Sequence, residues 1–214
     1  MMNPRSNPHP TGAWWCLPSA IICLLLVGSL VGGSPTNAEE SLAHSPIGPV
    51  RAADLIQALQ LEGHVEGGFY RRTYEAHNSA RIPTEDGQRF AMTSIFYLLT
   101  DAGPIGHFHK NRSDIVHYFH GGNPIDYFLI HADGSLKTFT MGPDPRLGHL
   151  LQLTVEGGVW KASRLQKSAN ADFGLISEAV SPGFDYADMT LGNRDDLKRL
   201  FPQHIELIKA LAQD

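Results

Sequence analysis

The sequence predicts an all-β domain, an antiparallel sandwich or barrel, with a short helical segment at each end. Two observations carry this. Between Gly67 and Val180, about eight short runs rich in aromatic and β-branched residues succeed one another, parted by turn chemistry such as Asp101-Ala102-Gly103-Pro104, Gly121-Gly122-Asn123-Pro124, Asp133-Gly134 and Glu156-Gly157-Gly158. On either side of that region the apolar period becomes helical. A chain of 214 residues, less a targeting segment, has the length of one such domain.

The chain opens with a segment that reads as an address rather than as fold. Residues 1–12 carry Arg5 as their only formal charge, residues 13–31 are almost wholly apolar, and Ser34-Pro35-Thr36-Asn37-Ala38 ends in small residues before Glu39. This is the pattern of a secretory signal over residues 1–38, cleaved near Ala38, and it implies a secreted or periplasmic protein with no stable membrane span after cleavage. The alternative is an uncleaved N-terminal anchor, since the apolar run is barely long enough to cross a bilayer. Cys16 and Cys23 both lie in this segment, so the mature chain forms no internal disulfide. Its 16 basic and 22 acidic residues leave a net charge of −6 with no basic run, which argues against a nucleic-acid partner.

Residues 39–50 form a polar lead with Pro and Gly, expected to be flexible, and the folded domain spans 51–214. A helix is predicted over 51–61 from Leu55, Ile56 and Leu59. The strands are predicted over 68–75, 93–100, 115–120, 125–131, 136–141, 150–155, 159–165 and 173–180. Residues 195–213 return to helical spacing through Leu197, Leu200, Ile205, Ile208 and Leu211, broken at Pro202.

The functional signal is concentrated in residues 106–122. Five of the eleven histidines, His107, His109, His117, His120 and His131, fall in this stretch or just after it. Residues two apart on a strand project to one face, so His107 and His109 are expected to share a surface while Phe108 points away. In the next run His117 alternates with Tyr118, and the turn between the runs decides which of them looks inward.

Five ordered segments resemble the cupin type-5 family: His64-Val65-Glu66-Gly67-Gly68-Phe69-Tyr70-Arg71, Phe96-Tyr97-Leu98-Leu99, Phe108-His109-Lys110-Asn111, Gly158-Val159-Trp160-Lys161-Ala162, and the stretch from Ser181 to Asp188. The resemblance implies a cupin double-stranded β-helix, a jelly-roll barrel similar to that of the dTDP-sugar epimerases. It also implies a homodimer and a small-molecule ligand in the barrel. Metal-binding cupins carry His-x-His, then a carboxylate, then a glycine. His107, His109, Asp114 and Gly121 follow that spacing and imply a divalent metal, Fe, Mn or Zn, on His107, His109 and Asp114. Many members of the branch place the carboxylate one residue later, where this chain has Ile115; that register turns Ile115 and His117 inward and leaves His107, His109 and His117 as the site.

Lys161 stands near where the fourth metal ligand would fall, and an ammonium repels a cation. This favours a metal-free epimerase- or isomerase-like enzyme with His109 as base and Tyr118 or Tyr97 as acid. Glu66 and Arg71 offer a carboxylate and a guanidinium to a polar ligand, and His117, Trp160, Lys161 and Phe184 complete the expected ligand-binding set. The alternatives are a metal-dependent dioxygenase, lyase or isomerase, and a barrel that holds a ligand without transforming it.

Overall fold

The computed structural model describes residues 49–167 and 171–214. The signal segment 1–38, and the lead 39–50 apart from its last two residues, lie outside them. Among the described residues no helix is long and apolar enough to cross a membrane.

The chain runs through α1 (Ala52–Ala58), β1 (Glu62–Gly63), β2 (Phe69–Glu75), β3 (Ile82–Thr84), β4 (Gly87–Arg89), β5 (Thr93–Thr100), β6 (Ile105–Asn111) and β7 (Asp114–Gly122). It continues through β8 (Ile125–Ile130), β9 (Leu136–Met141), β10 (Gln152–Val155), β11 (Trp160–Leu165), β12 (Phe173–Ser181), β13 (Met189–Leu191), α2 (Arg194–Leu200) and α3 (Ile205–Leu211). A six-stranded sheet, in the order β1-β2-β5-β12-β7-β10, faces a five-stranded sheet in the order β13-β6-β11-β8-β9. Every neighbouring pair within them is antiparallel, which gives the jelly roll that the alternating runs predict.

Alternation along each strand divides the molecule into three apolar layers. Between the sheets lie Leu99, Ile125, Met141, Leu153, Val155, Leu165 and Ile176, all nearly inaccessible to solvent. The outer face of the six-stranded sheet packs Leu98, Phe173, Phe69 and Phe96 against Leu55, Ile56 and Leu59 of α1. The outer face of the five-stranded sheet packs Phe108, Ile130, Trp160 and Ala162 against Leu197, Ile208 and Leu211 of α2 and α3.

The helical ends follow their local chemistry. Asn193 caps α2, its side-chain oxygen accepting the Asp195 and Asp196 N–H groups at 3.0 and 3.1 Å. Pro202 cannot continue the helix, and a single 3-10 turn at Pro202–His204 separates α2 from α3. Ahead of β2, Gly67 and Gly68 have φ of +94° and +69°. A β-carbon on them would collide with the carbonyl oxygens of Ile105 and Leu98. Only glycine lets the chain enter the barrel here, and that entry carries Glu66 into the interior.

Candidate functional site

On β6 the expectation of a shared face for His107 and His109 fails because the strand bulges. Lys161 of β11 pairs with His109 and Ser163 pairs with Gly106, so His107 and Phe108 together oppose the single residue Ala162. Both therefore turn outward. Phe108 packs under the C-terminal helices, and His107 donates its Nδ1–H to the Leu211 carbonyl at 3.1 Å. His109 points inward and is 5 % exposed.

On β7 the register places Ile115 and His117 inside, at 2 % and 0 % exposure. Asp114 stays outside, where its carboxylate accepts the Gly157 N–H at 2.8 Å. His107, His109 and Asp114 are thus three residues in three different places. Tyr118 follows His117 and so faces outward, 39 % exposed, which removes it as the interior acid. His120 also lies outside, with Nε2 2.8 Å from the Ser177 hydroxyl.

Two expected ligand contacts move for the same reason of alternation. Arg71 pairs with Phe96 and shares its outward face, whereas Arg72 pairs with Ile95 and reaches the barrel mouth. Trp160 packs beneath the C-terminal helices with the Lys110 ammonium 4.9 Å from its ring, and Lys161 takes the inward position beside it. Glu66, His109, His117, Lys161 and Phe184 do come together. His64, Glu178, Tyr127 and Asn111 join them, beyond the set the sequence predicts. Glu178 had a signal: it is a lone carboxylate in phase with the buried Ile176 and Val180.

The interior holds two linked groups of charge. In the first, Glu178 Oε1 lies 3.2 Å from His117 Nδ1, and its Oε2 lies 3.7 Å from Lys161 Nζ. Lys161 Nζ is also 3.3 Å from His117 Nε2, so that nitrogen accepts from the ammonium and Nδ1 carries the ring proton toward the carboxylate. In the second group, Glu66 Oε2 is 3.2 Å from His109 Nε2 and 3.5 Å from His64 Nδ1.

Hydrogen bonding fixes the tautomers of this second group. The His107 carbonyl lies 2.7 Å from His109 Nδ1 and can only accept, so Nδ1 is protonated and Nε2 presents a lone pair. His64 Nδ1 accepts the Glu66 N–H at 3.3 Å, so it too carries no proton. An ionised Glu66 would set its charge against two unprotonated nitrogens, which a protonated one does not. Burial moves the groups the same way: it pushes the Glu66 carboxyl up to about 8 against the pull of Lys161. Burial, reinforced by Lys161, also holds His109 well below its ordinary value and His117 below it. Burial alone would raise Glu178, but Lys161 and His117 override it and hold that carboxyl far below the usual range. At neutral pH the interior therefore contains an ionised Glu178, a protonated Glu66 and neutral imidazoles.

A family model described as "Cupin superfamily (DUF985)" matches residues 53–192. The chain belongs to this family of cupins. The uncharacterized protein YML079W of Saccharomyces cerevisiae is 40 % identical over 166 residues, covering 72 % of this chain and 82 % of that one. A hypothetical protein from Leishmania major superposes with a TM-score of 0.71 at 32 % identity, over 77 % of this chain and 100 % of the other. Protein SO0799 from Shewanella oneidensis superposes with a TM-score of 0.70 at 34 % identity, over 77 % and 98 %.

The mouth of the cupin barrel is aromatic. His64 meets the Tyr70 ring edge-on at 4.4 Å, Phe184 meets Tyr186 edge-on at 5.1 Å, and the Tyr70 and Tyr186 hydroxyls are 3.3 Å apart. Arg72 crosses the Phe184 ring at 5.7 Å and pairs with Glu75 at 2.9 Å. Room inside is scant. The chamber behind Tyr70 and Phe184 measures about 20 Å³, and the one between Glu66, Tyr97, Lys161 and Ser163 about 10 Å³, each the size of a water. Anything larger must displace the mouth side chains.

The set His107, His109 and Asp114 does not fit a cation. Among the described residues no three His, Cys, Asp or Glu side chains are arranged to hold a metal ion. His107 and Asp114 face away, and the Lys161 ammonium stands against His117 where a cation would have to bind.

Proposed function

We propose that this cupin is an acid–base enzyme that admits the carbonyl-bearing end of a small polar molecule and shifts a proton on the adjacent carbon, an epimerase- or isomerase-like reaction. One observation carries the proposal: a buried, neutral His109 whose Nε2 lone pair has no hydrogen-bond partner and lies 3.2 Å from a Glu66 that holds its proton. Nε2 takes the proton from the carbon, and the C–H electron pair moves to the carbonyl oxygen as an enolate. The Lys161 ammonium, fixed by Glu178 and His117, supplies the positive charge for that oxygen. Glu66 returns its own proton to carbon. The His109 imidazolium then passes its proton across the short contact to the Glu66 carboxylate, and the site is reset. Glu66 suits the acid role better than Tyr97, because burial lifts the Tyr97 hydroxyl well above its ordinary value and that hydroxyl donates to the Gly67 carbonyl at 2.8 Å.

The test is exchange of solvent deuterium into carbonyl compounds, read by NMR, across keto-sugars, sugar nucleotides and small hydroxy-ketones. Exchange on at least one of them should fall by about 100-fold or more in His109→Ala and Glu66→Gln. Exchange that His109→Ala leaves untouched, or none on any compound, overturns the proposal. A second reading, a barrel that holds a ligand without transforming it, draws on the water-sized interior and corresponds to binding with no exchange. Export rests on the apolar segment before Ala38 and is checked by fractionating cells that express the full chain.

A further inference from the structure

Every charge facing the chamber has a counter-charge. Lys161 is matched by Glu178, and Arg72 by Glu75. What lacks a partner is uncharged: His109 Nε2 and the Asn111 Oδ1, on side chains only 5 % and 8 % exposed. Asn111 follows His109 by two residues on β6 and lines the outer chamber, while His109 lines the inner one, with Glu66 and Glu178 common to both. Left empty-handed, such atoms each forfeit the hydrogen bond they had in water.

These atoms state what would satisfy them. A group that arrives as an anion would meet Glu178, in a site whose two cations are already balanced by carboxylates. A cationic group would meet the Lys161 ammonium. A hydroxyl donates and accepts at once, so in the resting complex it can hydrogen-bond to His109 Nε2, which turns to the neighbouring carbon only as the proton moves, and meet the Asn111 amide through either of that amide's ends. Around the opening, His64, Tyr70, Phe184 and Tyr186 offer ring faces and edges suited to the apolar side of a ring. We infer that the barrel selects an uncharged, hydroxyl-bearing ring, its hydroxyls on His109 and Asn111, its ring against the aromatic mouth, and any charged substituent left outside. The inference deepens the proton-transfer proposal above and rests on it for the identity of the reacting end.

The test uses the mature chain and NMR titration of the His109 imidazole nitrogens. The probes are a set of methyl pyranosides that differ in hydroxyl configuration, glucuronate and glucose 6-phosphate as charged counterparts, and tetrahydropyran as the ring without hydroxyls. At least one pyranoside should bind and move the Nε2 resonance, with the charged and hydroxyl-free probes about tenfold weaker or more. Asn111→Leu should weaken that pyranoside about tenfold, the value of one buried hydrogen bond. Tyr186→Ala, at a residue 50 % exposed and tolerant of change, should weaken it as well and serves if the Asn111 variant does not fold. A charged or hydroxyl-free probe that binds as tightly, or the failure of every pyranoside, overturns the inference. The two proposals fail separately. Pyranoside binding without deuterium exchange in any keto-sugar sinks proton transfer alone, and exchange in an open-chain or anionic ketone without pyranoside binding sinks the ring preference alone.

Discussion

Glu178 is the residue on which the interior charge depends. It sits in a strand whose other inward positions are apolar, and it is tolerated there because Lys161 and His117 converge on it. Replacing it by Gln leaves a buried ammonium without its counter-ion. Glu178→Gln should lower stability by about 3–5 kcal/mol in urea unfolding, the usual cost of removing one partner of a buried pair. The double variant Glu178→Gln with Lys161→Met should recover most of that loss, since no charge is then stranded. Both members were open to recognition from sequence in different degrees. Lys161 falls where the family resemblance puts a ligand, while Glu178 belongs to no motif and is marked only by its phase with Ile176 and Val180.

At the scale of elements, the bulge in β6 separates two histidines that look equivalent on paper. His107→Ala removes one hydrogen bond to the Leu211 carbonyl and should cost about 1 kcal/mol in unfolding while leaving deuterium exchange intact, unlike His109→Ala. The longer strands were legible because period-two alternation and turn residues declare them; 93–100 and 136–141 match β5 and β9 from end to end. What was not legible is what depends on register. An extra residue in β6, the turn that sets Ile115 rather than Asp114 inward, and the choice of Arg72 over Arg71 each follow from pairing with a neighbour that is distant in sequence. The short pieces β1, β3, β4 and β13, of two or three residues, are too brief to show any period. One of them has a part to play at the mouth. Arg89, at the end of β4, grips Asp188 through two hydrogen bonds, at 2.6 and 3.1 Å, and so anchors the segment that carries Phe184 and Tyr186. Arg89→Met should loosen that segment and speed amide exchange at Phe184, whose N–H donates to Thr93 Oγ1, by about tenfold or more.

For the whole molecule the buried titratable groups set a pH optimum. His64, His109 and His117 have lowered values, so the unfolded chain takes up protons that the fold refuses, and stability falls as pH drops below about 6.5. Glu66 acts in the opposite direction. Its folded value of about 8 lies above the ordinary carboxyl value, so the fold keeps a proton that the unfolded chain gives up, and stability is lost as pH rises toward 8. Three histidines outweigh one carboxyl below 6.5, and the carboxyl acts alone above it. Unfolding free energy in urea should therefore peak near pH 6.5, and Glu66→Gln should remove most of the decline on the alkaline side. A profile in Glu66→Gln that still falls between pH 6.5 and 8 as steeply as the parent would refute this assignment. The bulge has one more consequence, for inheritance. The group that orients His109 is the His107 carbonyl, a main-chain atom that every substitution at 107 retains. In a saturation library scored for catalysis, position 107 should accept many residues and position 109 almost none, so the chemistry of this barrel can outlast the loss of half of its most conspicuous sequence mark.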